Sequence, residues 1–178
     1  MDYATIEAQL AQLPLFSYHF FDPAELEFTQ RIRWICENEC PMYQKSWACP
    51  PAVGAVEACK AKCQAFSQCL MIVTMTEVAD IADIQETLAT RPEHEALTGQ
   101  VRDILLQHGI DPFILSTEAC AVCERCAWLD GQPCRMPERM HPCVESHGIN
   151  IIPMFDKLGI PFISGANLVT WVSLLFFA

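Results

Sequence analysis

The sequence predicts an α/β (or α+β) fold: a single domain with a mixed β-sheet flanked by helices and two cysteine-rich loops. Three observations predict it. Short runs rich in β-branched and aromatic residues alternate with stretches of helical periodicity. Leu70–Thr76 (LMIVTMT) is a continuous apolar run, as expected of a central strand covered on both faces. No low-complexity segment, long linker or composition shift divides the 178 residues, so residues 1–178 read as one domain. The strand candidates are Phe16–Phe21, Glu25–Ile35, Leu70–Thr76, Phe113–Thr117 and Leu168–Phe177. Val56, Cys59, Cys63 and Phe66 recur at i, i+3, i+7 and i+10, one face of a helix. Leu97, Val101, Ile104, Leu105 and His108 make a second stripe, with Pro92 near its start and Gly109 past its end. A short helix around Pro142–His147 should stop at Gly148, and a further turn over Pro153–Leu158 at Gly159. Strand order cannot be read from these patterns.

Hydrophobic residues make up 52% of the chain and charged ones 19%, which is the composition of a globular protein with a real core. The formal charge of -11 at pH 7 argues against nucleic acid, whose phosphates require a basic face. It suits docking on basic patches of a partner protein. The start, MDYATIEAQLAQLP, lacks the basic and apolar regions of a signal peptide. The longest apolar run, Leu168–Phe177, contains Thr170 and Ser173 and is too short to span a bilayer. The expected location is therefore the reducing cytoplasm, where eleven cysteines point to metal rather than to disulfides.

The strongest chemical signal is Cys120-x2-Cys123-x2-Cys126, followed seven residues on by Cys134. Thiolates at two-residue intervals can wrap one corner of a cubane, and this tripled spacing is the core of the bacterial ferredoxin run. Zinc sites more often use two separated pairs. The second constellation is Cys36-x3-Cys40-x8-Cys49, in CENECPMYQKSWACPP. Cys40 and Cys49 are each followed by proline, which stiffens the loop. Tyr43 and Trp47 would give aromatic cover, and Arg135 beside Cys134 would offset the negative charge of a thiolate-bound cluster.

The other cysteines read differently. Cys59 and Cys63 share an apolar helix face and Cys69 opens the central strand, so all three read as core. Cys143 is a spare ligand at most, and His141 and His147 read as surface or outer-sphere groups. No Walker loop, G-x-G-x-x-G, HExxH or G-x-S-x-G is present.

These stretches resemble a family of cysteine-rich bacterial and archaeal proteins described as predicted metal-binding proteins of unknown function. The residues that carry the likeness are CENECPMYQKSWACPP and CAVCERCAWLDGQPCRMPERMHPCVESHGINI, and it extends from about Leu26 to the C-terminus. The resemblance implies metal binding by Cys36, Cys40, Cys49, Cys120, Cys123, Cys126 and Cys134, and supplies no reaction. Two positions depart from it: Gln44 stands where glycine is expected after the tyrosine, and Cys143 where a small polar residue is expected.

The functional expectation is an oxygen-sensitive iron–sulfur protein with one or two [4Fe–4S] clusters, transferring electrons to or from a partner enzyme. Whether it is itself an enzyme is open. Seven matched cysteines divide as four and three, so one cluster could keep an iron free for substrate. A zinc-stabilised interaction module is the remaining alternative.

Overall fold

A computed structural model of the chain describes residues 3–178. Its centre is a four-stranded sheet in the order β1-β3-β6-β4, with β1 at Ser17–Phe21, β3 at Gln68–Glu77, β4 at Phe113–Leu115 and β6 at Leu168–Phe177. A two-stranded ladder pairs β2 (Glu27–Phe28) with β5 (Ile149–Asn150). The helices are α1 (Tyr3–Leu10), α2 (Gln30–Asn38), α3 (Val56–Gln64), α4 (Ile84–Ala89), α5 (Arg91–Gln107) and α6 (Ile152–Leu158). The α/β class is the expected one.

β3 and β6 pair over ten residues, from Gln68↔Phe177 to Glu77↔Leu168. Because side chains alternate, their apolar residues feed two cores at once. Leu70, Ile72, Leu175 and Phe177 pack with α1 and α5 through Ile6, Leu10, Val101 and Leu105. Met71, Val73, Leu174 and Phe176 face the opposite way, with Cys63 of α3 and Met154 and Phe155 of α6. The sheet is thus the middle of three layers. Each fully buried side chain of this ladder stabilises the fold by roughly 1.5–3 kcal/mol. Every ladder in the sheet is antiparallel rather than mixed. The continuous apolar run reports cover on both faces, and that cover is independent of strand direction.

One sequence expectation fails. Glu25–Ile35 is not a strand: Pro23–Glu25 is a 3₁₀ turn, Glu27–Phe28 is β2, and α2 begins at Gln30. Ile32, Trp34 and Ile35 favour strand by type, but the Thr29 hydroxyl caps the helix by accepting from the Arg31 N–H at 3.1 Å. Arg33 and Cys36, three residues apart, form its buried face, while Trp34 and Ile35 remain exposed. The other strand candidates appear with ends shifted by a few residues, and α3, α5 and α6 lie where the periodicity puts them. The expected helix near Pro142 reduces to a 3₁₀ turn at Glu145–His147 ending on Gly148. That glycine has φ +74°, and a Cβ on it would meet Val56 at 2.9 Å. Its carbonyl accepts from the Thr29 N–H at 2.7 Å, so the close approach of α2, α3 and this turn needs a residue without a side chain.

Between α5 and the sheet lies a buried polar chain. The His94 ring bonds the Thr74 hydroxyl through Nδ1 and the Ser173 hydroxyl through Nε2, both at 2.8 Å. Ser173 also meets Thr98 at 3.0 Å and Ser116 at 2.9 Å, and Ser116 donates to Glu95 at 2.8 Å. Burial holds the His94 pKa down at about 4, from an ordinary 6.5. The unfolded chain therefore binds the proton more readily than the folded one. Stability should be full above pH 6.5 and decline as pH falls from 6.5 towards 4, by about 3 kcal/mol in total from this group. Denaturant midpoints across that range should show the decline. His94→Phe should make the decline shallower by that amount, leaving the share of other buried histidines, while costing roughly 1–3 kcal/mol at neutral pH, because it orphans the Thr74 hydroxyl.

Candidate metal centre

Cys36 lies in the last turn of α2, and Cys40 two residues beyond its end. Cys49 follows a loop whose Ser46 hydroxyl accepts from the Ala48 N–H. The three line one cavity of about 390 Å³ together with Cys143. Cys143 is brought there by main-chain pairing. The segment leaving the second cysteine loop runs alongside Ser116, whose N–H donates to Pro142 O at 2.8 Å and whose carbonyl accepts from Val144 N–H at 3.2 Å. The first constellation therefore faces four cysteines rather than three. Tyr43 and Glu145 also line this cavity, as does Thr170, whose hydroxyl is buried without a partner.

Cys120, Cys123, Cys126 and Cys134 converge on a second, much narrower cleft of about 10 Å³. Arg135 lines it as expected, with Met136 and Met140 as apolar neighbours. The Arg135 guanidinium also donates to the Arg125 carbonyl across the loop. A main-chain N–H from Val122 is directed at the Cys120 sulfur. Among the described residues no three Cys, His, Asp or Glu side chains are close enough to bind a single bare ion.

The two loops are clamped to each other. Trp47 Nε1–H donates to Gln132 O at 3.0 Å, and Trp128 Nε1–H donates to Gln44 O at 2.9 Å. The indoles meet edge to face, with centroids 4.8 Å apart. Trp47, expected as cover for a metal, forms one half of this clamp. Gln44 adopts φ +60°, the left-handed conformation that a glycine would take without strain, and this aims its carbonyl at Trp128. The first loop thus lies against the second, although it leaves a helix rather than the expected strand.

Beneath the first cavity sits Arg33, only 5% exposed. Its guanidinium donates to Gly54 O and Ser146 O at 2.7 Å each, and towards the Cys59 sulfur at 3.7 Å. It ties α2 to the loop before α3 and to the turn after Cys143. Cys59, Cys63 and Cys69 are buried at 2% exposure or less, in the core positions expected of them. His147 is not a surface group: it is buried, packs on Phe113 with centroids 5.8 Å apart, and burial lowers its pKa to about 3. His141 is half-buried.

Burial raises three thiols of the first group, as it also raises those of the core residues Cys63 and Cys69. Burial pushes Cys36 up to about 12, reinforced by Glu145 and by Cys40 and Cys49, and opposed by Arg33. Cys49 is pushed up to about 11 by burial and Cys40, with further contributions from Cys120 and Cys126. Cys143 is raised well above its ordinary value, first by burial. Thiols so placed remain protonated at neutral pH until a cation stabilises the thiolate. The influence of Cys120 and Cys126 on Cys49 also shows that the two groups share one region of the protein.

A family model described as predicted metal-binding protein (DUF2284) matches residues 19–177. The chain belongs to this family. Comparison with curated proteins and with solved structures returned no match in either. Metal binding is thereby supported for this DUF2284 member, a chain with eleven cysteines. Its described residues include no helix long and apolar enough to cross a membrane.

Sequence reasoning passed over Arg33, Trp128, Glu145 and the position of Cys143. Only Trp128 carried a signal, as an aromatic inside the second cysteine loop matching Trp47 in the first. The clamp can be measured. Trp47→Phe and Trp128→Phe should each lower stability by about 1 kcal/mol, and the double variant should lose less than the sum. Gln44→Val should destabilise by roughly 1–2 kcal/mol while Gln44→Gly should not, because a β-branched side chain resists the positive φ more than glutamine does and glycine does not resist it. Chemical denaturation of the five variants tests both points.

Proposed function

We propose that this chain is a cytoplasmic iron–sulfur protein. One [4Fe–4S] cluster would be held by Cys36, Cys40, Cys49 and Cys143, and a second by Cys120, Cys123, Cys126 and Cys134. The observation that carries this reading is the convergence of two four-cysteine groups in loops locked together by the Trp47–Trp128 pair. The first cavity has room for a group far larger than a single ion, which favours a cluster over zinc. At the second site the donor set fits, but seating a cluster requires the loop to open from its narrow cleft.

Clusters of this kind supply one-electron redox chemistry when bound. The chain's own residues would set the conditions for it. Arg33 places a buried cation near Cys36, where four thiolates around iron leave net negative charge. The Val122 N–H would soften the charge on the Cys120 sulfur. Adjacent sites suit passage of electrons between them, and the net charge of -11 suits docking on a basic face of a redox partner.

A second reading is an enzyme in which Cys143 does not ligate and an iron of the first site takes substrate. It is supported by the polar wall of the first cavity, where Glu145 and the unpartnered Thr170 hydroxyl lie beside the cysteines.

The test is anaerobic reconstitution with iron, sulfide and zinc counts, and EPR of the reduced protein. The electron-carrier reading expects about eight iron and eight sulfide per chain. Cys143→Ala should reduce the count to about four, whereas Cys59→Ala should keep all the iron and lose only roughly 1–2 kcal/mol of stability. Stoichiometric zinc without sulfide would end the cluster reading. Full iron in Cys143→Ala, with an EPR signal that responds to cyanide, would favour the enzyme.

A further inference from the structure

The largest cavity described lies outside the first cysteine group. It encloses about 640 Å³ between one face of α5 and the loops that carry Cys120–Val122 and Glu138–His141. That volume falls in the range of small-molecule sites. Arg91, Glu95, Gly99 and Arg102 line it at spacings of four, four and three, so a single helix face forms one wall. Arg139 approaches from the opposite loop.

Three of the chain's eleven Lys and Arg residues therefore meet at one cavity in a protein of net charge -11. Their charges are poorly neutralised. Among the described residues the buried Arg91 Nε–H has no hydrogen-bond partner, and the side chain pairs with Glu95 alone, at 3.4 Å. Glu95 is itself shared with the hydroxyls of Ser116 at 2.8 Å and Thr117 at 3.4 Å. Arg102 reaches only the exposed Asp111, at 3.9 Å. Arg139 makes no ion pair among the described residues. Asp103 and Glu138 also line the cavity, and both are exposed to solvent, as is Arg139, so all three charges are screened. A buried guanidinium donor left unpaired costs stability, and an oxyanion would satisfy it with a charge-assisted bond.

The second observation is Gly99. Glycine in the interior of a 17-residue helix costs about 1 kcal/mol against alanine. A Cβ built there meets nothing within 4 Å, so no packing requires its absence. The missing side chain leaves the floor of the cavity open between Arg91 and Arg102, one turn before the latter. Leu88, Pro92 and Val122 supply apolar wall on either side.

We propose that this cavity binds a small organic anion, its carboxylate or phosphate group held by Arg91 and its apolar body lying over Gly99. Cys120 lines both this cavity and the second cysteine cleft, so the ligand would rest against the tripled-cysteine loop. The site does not depend on which metal the cysteines hold.

The test is calorimetric titration of the anaerobically purified full chain with phenyl phosphate, benzoate and benzyl alcohol. The three probes share an aromatic body and differ in head group. At least one anion should bind with a Kd on the order of 1 mM or tighter and the alcohol should not. Tighter phenyl phosphate would identify the ligand class as a phosphate ester, and tighter benzoate as a carboxylic acid. Binding should weaken as salt rises. Arg91→Gln should weaken it at least about tenfold, and Arg102→Gln by less, because Arg102 adds only to the charge of the cavity. Gly99→Leu should abolish it by filling the floor while leaving the circular dichroism and iron content intact, so that lost binding cannot be ascribed to misfolding. Absence of binding by either anion, or wild-type affinity in a folded Gly99→Leu variant, would overturn the proposal.

Discussion

The ten-residue antiparallel ladder between β3 and β6 is the constraint on which the rest of the structure depends. Both strands are buried on both faces, so every neighbouring element must bring an apolar surface to one side or the other. Helices α1 and α5 take one face, and α3, α6 and the small β2–β5 ladder take the other. What remains outside this stack is mostly the chain between elements, and the two cysteine groups are concentrated there. A rigid interior carrying its donors on loops is a common division of labour, because loops can present side chains without disturbing the packing beneath them.

Those loops are not left independent. Each tryptophan of the clamp donates to a carbonyl of the other loop, so neither loop can move far without breaking a bond in both. Arg33 acts below them in a comparable way, gathering three chain segments onto one buried guanidinium. Burial and mutual repulsion raise the thiols of Cys36 and Cys49, so the folded protein holds these donors in a state that a bound cation would relieve. The positive φ of Gln44 is a local backbone cost, and it falls at the candidate site rather than in the core.

The buried polar chain through His94, Ser173, Ser116 and Glu95 runs between the two largest cavities. Ser116 lines the first cavity and Glu95 the larger one. Ser116 is also the residue whose main chain positions Cys143. The short stretch after β4 therefore serves the core, the cysteine group and the arginine-lined cavity together, and a change there would reach all three.

By itself the sequence determined the elements whose periodicity is strong. The apolar runs of β3 and β6, the stripes of α3 and α5 and the stop at Gly148 were all legible, since each depends on neighbours within a few residues. The tripled cysteines and the cysteine–proline loop were legible for the same reason. Local propensity failed at α2, where Ile32, Trp34 and Ile35 favour strand, and a capping threonine and a buried arginine override them. Only the tertiary structure decided that the sheet is antiparallel, because alternation and burial leave strand direction open. It alone decided that Cys143 joins cysteines more than ninety residues earlier, through main-chain pairing beside Ser116 that no spacing in the sequence encodes. The gathering of Arg91, Arg102 and Arg139 around one cavity has the same origin: helical spacing brings the first two together, but only the packing of a distant loop adds the third.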